Sequence, residues 1–237
     1  MRGSAALEAS RPGSASAPES ASAKSKPRVI VIGCGALARE LLALTKGFPA
    51  VKVVCVDARL HMRPSRIATA VEKRIATVRR EHGDDVRIFV AYADCGTNGS
   101  LDAVLEREGI ARIGGAHCYE FYAGPAVYAA LQDEELGTFY LTDFLARQFE
   151  TLVLVGLGLD RHPELQSDYF GNYRRLVYLA QTDDPELTAK AQAAADRLGL
   201  TFERRRTGYG NLAPAIQAAV AAHAATGAIP SHVTGVA

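Results

Sequence analysis

Three cysteines each sit in a short run of small and polar residues that follows an apolar stretch. They are Cys34 in Val31-Ile-Gly-Cys-Gly-Ala-Leu-Ala38, Cys95 in Asp94-Cys-Gly-Thr-Asn-Gly99, and Cys118 in Gly115-Ala-His-Cys-Tyr-Glu120. Backbone N–H groups in glycine loops can stabilise a thiolate or bind an anion. His117 adds an imidazole nitrogen beside Cys118, and nitrogen and sulfur together suit zinc and similar metals. Neither of the later loops has Cys-x-x-Cys spacing, so a metal site requires the three segments to meet. On that reading Cys34, Cys95 and Cys118 are the metal ligands, with His117, Glu40 or Asp94 as a fourth group, and Cys95, His117 and Glu40 are the candidate catalytic residues. The competing reading is that cysteine is a common small core residue and the three thiols do nothing. Cys55, inside the apolar run Val51–Val56, reads as core.

The first segment also has the spacing Gly-x-Gly-x-x-Ala between a strand-like and a helix-like stretch, with Asp57 ending the next apolar run. That pattern predicts a dinucleotide or another adenosine-containing ligand, NAD(P) or S-adenosylmethionine, with Gly33 and Gly35 at the turn and Asp57 on the ribose hydroxyls. Small residues at such a turn equally permit close packing of helix on strand.

Other groups carry weaker signals. His61 in Leu60-His-Met-Arg-Pro64 follows the second apolar run and can face the cysteine site. His162, beside Asp160 and Arg161, reads as a surface or capping residue. Tyr119, Phe121, Tyr122 and Tyr128 at helical spacing read as packing, and Arg204–Arg206 as a solvated strand end or a phosphate contact.

The elements that must position these residues alternate. Strands are predicted at Arg28–Ile32, Val51–Val56, Val86–Tyr92, Ile110–Ile113, Thr138–Leu141, Thr151–Val155, Leu176–Gln181 and Thr201–Arg206. Helices are predicted at 37–46, 65–81, 100–108 with Ser100 as N-cap, 143–150 capped by Thr142 or Asp143, 185–198 ending at Gly199, and 211–222. Strands separated by helices imply an α/β fold, a mostly parallel sheet with helices on both faces in a Rossmann-like three-layer architecture. Ligands of such sheets bind beyond the carboxyl ends of the strands, where all three cysteine loops fall.

The 237 residues, 48% hydrophobic, suffice for a single domain over 27–222, with two halves split near 137–150 as the alternative. Residues 1–26, rich in Ala, Ser, Pro and Gly, and residues 223–237 read as disordered tails. Lys plus Arg (27) balances Asp plus Glu (26), which argues against nucleic acid and anionic membranes as partners. No apolar run approaches the roughly 20 residues of a membrane span, and no secretory signal is visible. Four cysteines without an export signal predict reduced thiols and a cytoplasmic protein.

Five segments resemble the family known as domain of unknown function 1638: Cys34–Glu40, Leu60–Pro64, Tyr92–Thr97, His117–Glu120 and Gly137–Asp143. The resemblance runs over about residues 29–212 and implies a link to corrinoid-dependent methyltransferases and one-carbon or methylamine metabolism, with a corrinoid protein or a small molecule as partner. It implies no defined reaction, and it favours the thiols over the glycine turn. Three classes of function follow. The first is a metal- or corrinoid-handling protein with a cysteine-lined site, the second an oxidoreductase or transferase with a nucleotide cofactor, and the third a non-catalytic partner-binding module.

Overall fold

The computed structural model describes residues 28–225. Two sheets, each with only parallel pairs, divide the expected one. In chain order the first unit runs β1 (Val29–Cys34), α1 (Ala38–Thr45), β2 (Val51–Val56), α2 (Ile67–His82), β3 (Arg87–Ala91), α3 (Ser100–Glu108) and β4 (Ala111–Arg112). Two short helices, α4 (Cys118–Ala123) and α5 (Pro125–Glu134), lead into the second unit. That unit runs β5 (Thr138–Thr142), α6 (Asp143–Gln148), α7 (Gln166–Phe170), β6 (Arg175–Ala180), α8 (Pro185–Leu198) and β7 (Thr201–Arg206). Helix α9 (Leu212–Ala225) closes the described chain. It extends three residues into the expected C-terminal tail, and the rest of that tail, like residues 1–26, lies outside the described residues.

The first sheet has the order β2-β1-β3-β4. Every residue of β1 is buried, as a central parallel strand covered on both faces requires. Helices α2 and α3 pack together, as do α1 and α9. Along α2 the buried residues are Ile67, Ala68, Val71, Ile75 and Val78, one stripe of a 3.6-residue period. Leu212, Ala215, Ile216 and Ala219 of α9 join the same core, so the chain returns to its first sheet after building its second.

The second sheet has the order β5-β6-β7. Strand β6 is again buried throughout, and its side chains alternate. Leu176, Tyr178 and Ala180 face the core that α6 and α8 build, whereas Val177 and Leu179 face Leu131, Tyr119 and Tyr128 of α4 and α5. Asp184 caps α8 by accepting from the Glu186 and Leu187 amides at 2.9 and 3.3 Å, and Gly199 ends it at φ +73°.

Two local expectations fail. Thr151–Val155 is not a strand, because Phe149–Val155 continues α6 as a π-helical segment that buries Phe149, Val153 and Leu154. A short apolar run carries no periodicity that separates a buried strand from a buried helix. Ser100 is not the cap of α3, since Gly99 holds that place in the left-handed conformation while the Ser100 hydroxyl donates to the Thr97 carbonyl at 2.8 Å. Thr142, by contrast, caps α6, its hydroxyl accepting from the Leu145 amide.

Candidate functional site

Cys34 ends β1, and Gly33 lies in register with Ala91 of β3. One step further along both strands, Cys34 and Tyr92 are therefore lateral neighbours, and the Tyr92 hydroxyl favours the charged form of the Cys34 sulfur. The chain after Tyr92 turns toward the loop after β4. There the Asp94 amide donates to Gly115 O at 3.0 Å and the Cys95 amide to Ala116 O at 2.7 Å. These two bonds set Cys95 beside Cys118, the first residue of α4.

The Asp94 carboxylate shapes the Cys95 loop. It accepts from Thr97 Oγ1 at 2.5 Å and from the Gly96, Asn98 and Gly99 amides at 3.1–3.2 Å. That closure holds Cys95 and Asn98 at φ +50° and +51°, a conformation rare for residues with a Cβ. Burial pushes the Asp94 carboxyl up, but Thr97 and the three amides outweigh it and hold it below the usual range. Asp94 is thus the former of the loop, and its oxygens are occupied.

The three thiols act on one another. Cys34 raises the pKa of Cys95, and Cys95 and Cys34 both raise that of Cys118. All three also raise the pKa of Tyr92, after the larger effect of burial. Backbone amides lower each thiol's pKa a little: Ala36 that of Cys34, Cys118 that of Cys95, and Cys118 and Tyr119 that of Cys118. Burial nevertheless dominates, and it pushes Cys34 and Cys118 up and Cys95 to about 12. All four cysteines are free thiols. Cys55 lies on the opposite face of the sheet from Cys34, because it is the register partner of Gly33 and successive strand residues alternate faces.

A cavity of about 830 Å³ opens beside these thiols, between the first unit and the second. Cys95, His61 and His117 line it on one side, and Tyr128, Tyr140, Tyr169 and Tyr173 on the other, with Tyr119 between. No charged side chain lines it among the described residues. The aromatic wall is itself packed, with the Tyr119 and Tyr140 rings 5.4 Å apart and stacked and Tyr128 and Tyr140 also 5.4 Å apart. An apolar hollow of about 160 Å³ adjoins it, sharing His61 and Tyr119 and reaching Cys118. The size and mainly aromatic lining fit a small organic ligand.

Cys34, Cys95 and Cys118 follow neighbouring strands of one sheet, and Cys95 lines the cavity with His117 and His61. Among the described residues no group of three or more His, Cys, Asp or Glu side chains has the arrangement to hold a metal ion as it stands. Glu40 lies elsewhere, lining a separate hollow against α6. His162 is an exposed residue whose Nδ1 lies 3.2 Å from Glu164. Arg204 and Arg206 at the end of β7 pair with Asp183 at 2.7 and 2.9 Å.

At the glycine turn packing explains both glycines. A Cβ on Gly35 would stand 2.8 Å from Val56 O and 3.0 Å from Ala58 N, and one on Gly33 would stand 2.2 Å from a Leu41 methyl. Asp57 accepts from the Arg59 amide at 2.9 Å and pairs with the Arg59 guanidinium at 2.7 Å, so its carboxylate is engaged within its own turn.

Tyr92 and the tyrosines of the second unit had no local signal in the sequence. Tyr92 reads as the end of a strand, and the wall of Tyr140, Tyr169 and Tyr173 exists only because two sheets face one gap. No helix among the described residues is long and apolar enough to cross a membrane.

A family model described as "Protein of unknown function (DUF1638)" matches residues 55–216. No curated protein and no solved structure matches the chain.

Proposed function

We propose, for a chain that belongs to the DUF1638 family, that Cys34, Cys95 and Cys118 take a thiophilic metal, as an ion or within a small metal complex, at the floor of the tyrosine-walled cleft. The observation that supports this reading is that Cys34, Cys95 and Cys118 follow neighbouring strands of one sheet and influence one another electrostatically, with the Tyr92 hydroxyl and backbone amides favouring their charged forms. Amides and hydroxyls donate well to thiolates and poorly to thiols, yet burial keeps these sulfurs protonated. A bound cation supplies the missing positive charge, displaces the protons and lets the donors act. Zinc suits the donor set, with three sulfurs and His117 or an organic ligand in the fourth place.

Among the described residues the sulfurs do not form a ligand set as they stand, so a metal ion held by all three would have to draw them closer. A metal with one position open to the cleft serves as a Lewis acid or activates a thiol for methyl transfer. The cleft has no charged lining, so its organic ligand is neutral or is held by ring faces and by the amides of Gln132 and Asn172. Small metal complexes and the exposed cofactor of a corrinoid protein are both partners of that chemistry.

Metal analysis of protein purified anaerobically without chelators tests the reading. The expected result is about one equivalent of metal per chain, lost in Cys95→Ser and Cys118→Ser, with cobalt(II) substitution giving sulfur-to-metal charge-transfer bands. A native protein that stays metal-free and shows no such bands on titration with zinc or cobalt overturns it.

A further inference from the structure

The glycine turn has a second neighbour that the thiol site does not use. Glu40, in the first turn of α1, is only 5% exposed, and its Oε2 has no hydrogen-bond partner. A hollow of about 190 Å³ lies against it, lined by Gly35, Ala36 and Arg39 from the turn side and by Phe144, Arg147 and Gln148 from α6. A buried carboxyl oxygen with no partner is destabilising, and a ligand in the hollow that hydrogen-bonds to it would remove that cost.

The charges around the hollow favour one sign. On its own helix Glu40 is faced by Arg39, from α6 by Asp143 and Arg147, and from α4 by Tyr122. Asp143 is fully buried and saturated. Its Oδ1 accepts from Tyr178 Oη at 2.7 Å and the Gln181 amide at 2.9 Å, and its Oδ2 from the Thr182 amide at 3.1 Å and hydroxyl at 2.5 Å. Arg147 stands 3.7 Å from Asp143, beyond hydrogen-bond length, so its guanidinium donors are not spent there. Burial, and then the Asp143 charge, raise the Glu40 carboxyl, while its own backbone amide, Arg147 and Arg39 lower it. With a proton on Oε2 that oxygen is a donor, and the polar groups around the hollow are then donors, two of them cationic.

We propose that this hollow binds a small oxyanion, a carboxylate or a phosphate group, held by Arg39 and Arg147 and by hydrogen bonds from the Glu40 carboxyl and the Gln148 amide. The oxyanion is either a free small acid or the acidic end of a larger ligand. Ala36 lines both this hollow and the one that reaches Cys118, so the turn separates an anion site from the thiol site by one residue's width.

Calorimetric titration of the full chain with acetate, with phosphate, and with chloride as control tests the site without involving the thiols. Saturable binding of acetate or phosphate is expected, with no response to chloride. The stronger of the two identifies a carboxylate or a phosphate as the group the site takes. Arg39→Ala and Arg147→Ala should each weaken binding about tenfold, as loss of a charge-assisted contact does. Glu40→Gln keeps a donor in place and should bind within about threefold of the native chain, a small change on the scale where tenfold is 1.4 kcal/mol. Arg39 is exposed, so Arg39→Ala leaves folding intact and keeps the test decisive. No saturable binding of either anion, or binding indifferent to both arginine replacements, overturns the proposal. Loss of binding in Glu40→Gln with both arginines present overturns the donor role of Glu40.

Discussion

The Cys95 amide donates to the Ala116 carbonyl at 2.7 Å, tying two loops that lie more than twenty residues apart in the chain. Burial dominates at Cys95, and with Cys34 nearby it pushes the thiol to about 12. Against an ordinary thiol near 9, the thiolate fraction at pH 8 falls by up to about a thousandfold. Cys95 in the metal-free protein should therefore alkylate with iodoacetamide far more slowly than it does in urea. Labelling followed by peptide mass spectrometry reads the ratio, and equal rates folded and unfolded would contradict the burial.

The same shift has a consequence for stability. A thiol whose pKa is higher folded than unfolded favours the native state fully below about pH 9, and that contribution drains away as the pH climbs toward 12. Urea unfolding of the metal-free chain should show stability constant from pH 7 to 8 and falling between pH 9 and 11. Cys95→Ser should flatten the decline.

Asp94 behaves in the opposite sense. Its carboxylate accepts one hydroxyl and three amide hydrogen bonds and holds the left-handed Cys95 and Asn98 in place. Asp94→Ala should cost about 1.5–3 kcal/mol, the value of hydrogen bonds to a charged group. Because its folded pKa is lowered, its contribution is complete above the ordinary carboxylate range and is lost as the pH falls below about 4. Thermal melts of native chain and Asp94→Ala should converge as the pH is taken from 6 to 3.

How far the sequence could be read depends on the range of the interaction. Pro185–Leu198 and Thr201–Arg206 appear in the fold with the boundaries their sequence implies, because Asp184, Pro185 and Gly199 are local stop and start signals and β-propensity is local too. That the loops of Cys34, Cys95 and Cys118 fall at one edge was legible from strand order alone, since each follows a strand of one parallel sheet. Thr151–Val155 was not legible, because its apolar run fits both periods and only the continuation from α6 decides it. Nor was the cleft, whose far wall of Tyr140, Tyr169 and Tyr173 comes from the second unit, with Tyr140 on β5 and Tyr169 on α7.

The two glycines of the turn should respond differently to alanine. At Gly35 the new Cβ meets backbone atoms, Val56 O at 2.8 Å and Ala58 N at 3.0 Å, which cannot move without shifting β2. At Gly33 it meets the end methyl of Leu41, which can change rotamer. Gly35→Ala should cost about 1–3 kcal/mol as overpacking does, and Gly33→Ala less. Urea midpoints of the two variants check the order. The reverse order would mean that the turn is not set by close approach of α1 to β2.

Asp143 gives the sharpest test of the second unit. It is fully buried at the start of α6, and its two oxygens gather the Tyr178 hydroxyl, the Gln181 amide and both donors of Thr182, while the Asp143 amide itself donates to the Gln181 side chain at 2.7 Å. One side chain thereby ties the end of β5 to the end of β6. In Asp143→Asn an NH2 group replaces one acceptor oxygen and confronts donors with a donor. The expected loss is about 3 kcal/mol, the cost of leaving one or two buried donors unpaired. Tyr178→Phe removes a single donor and leaves the carboxylate with three, so it should cost about 1 kcal/mol. The double variant Asp143→Asn/Tyr178→Phe should lose less than the sum of the two, because each change removes part of the same contact. Urea denaturation of the three variants measures the coupling, and strict additivity would show that the hydroxyl and the carboxylate do not act on each other.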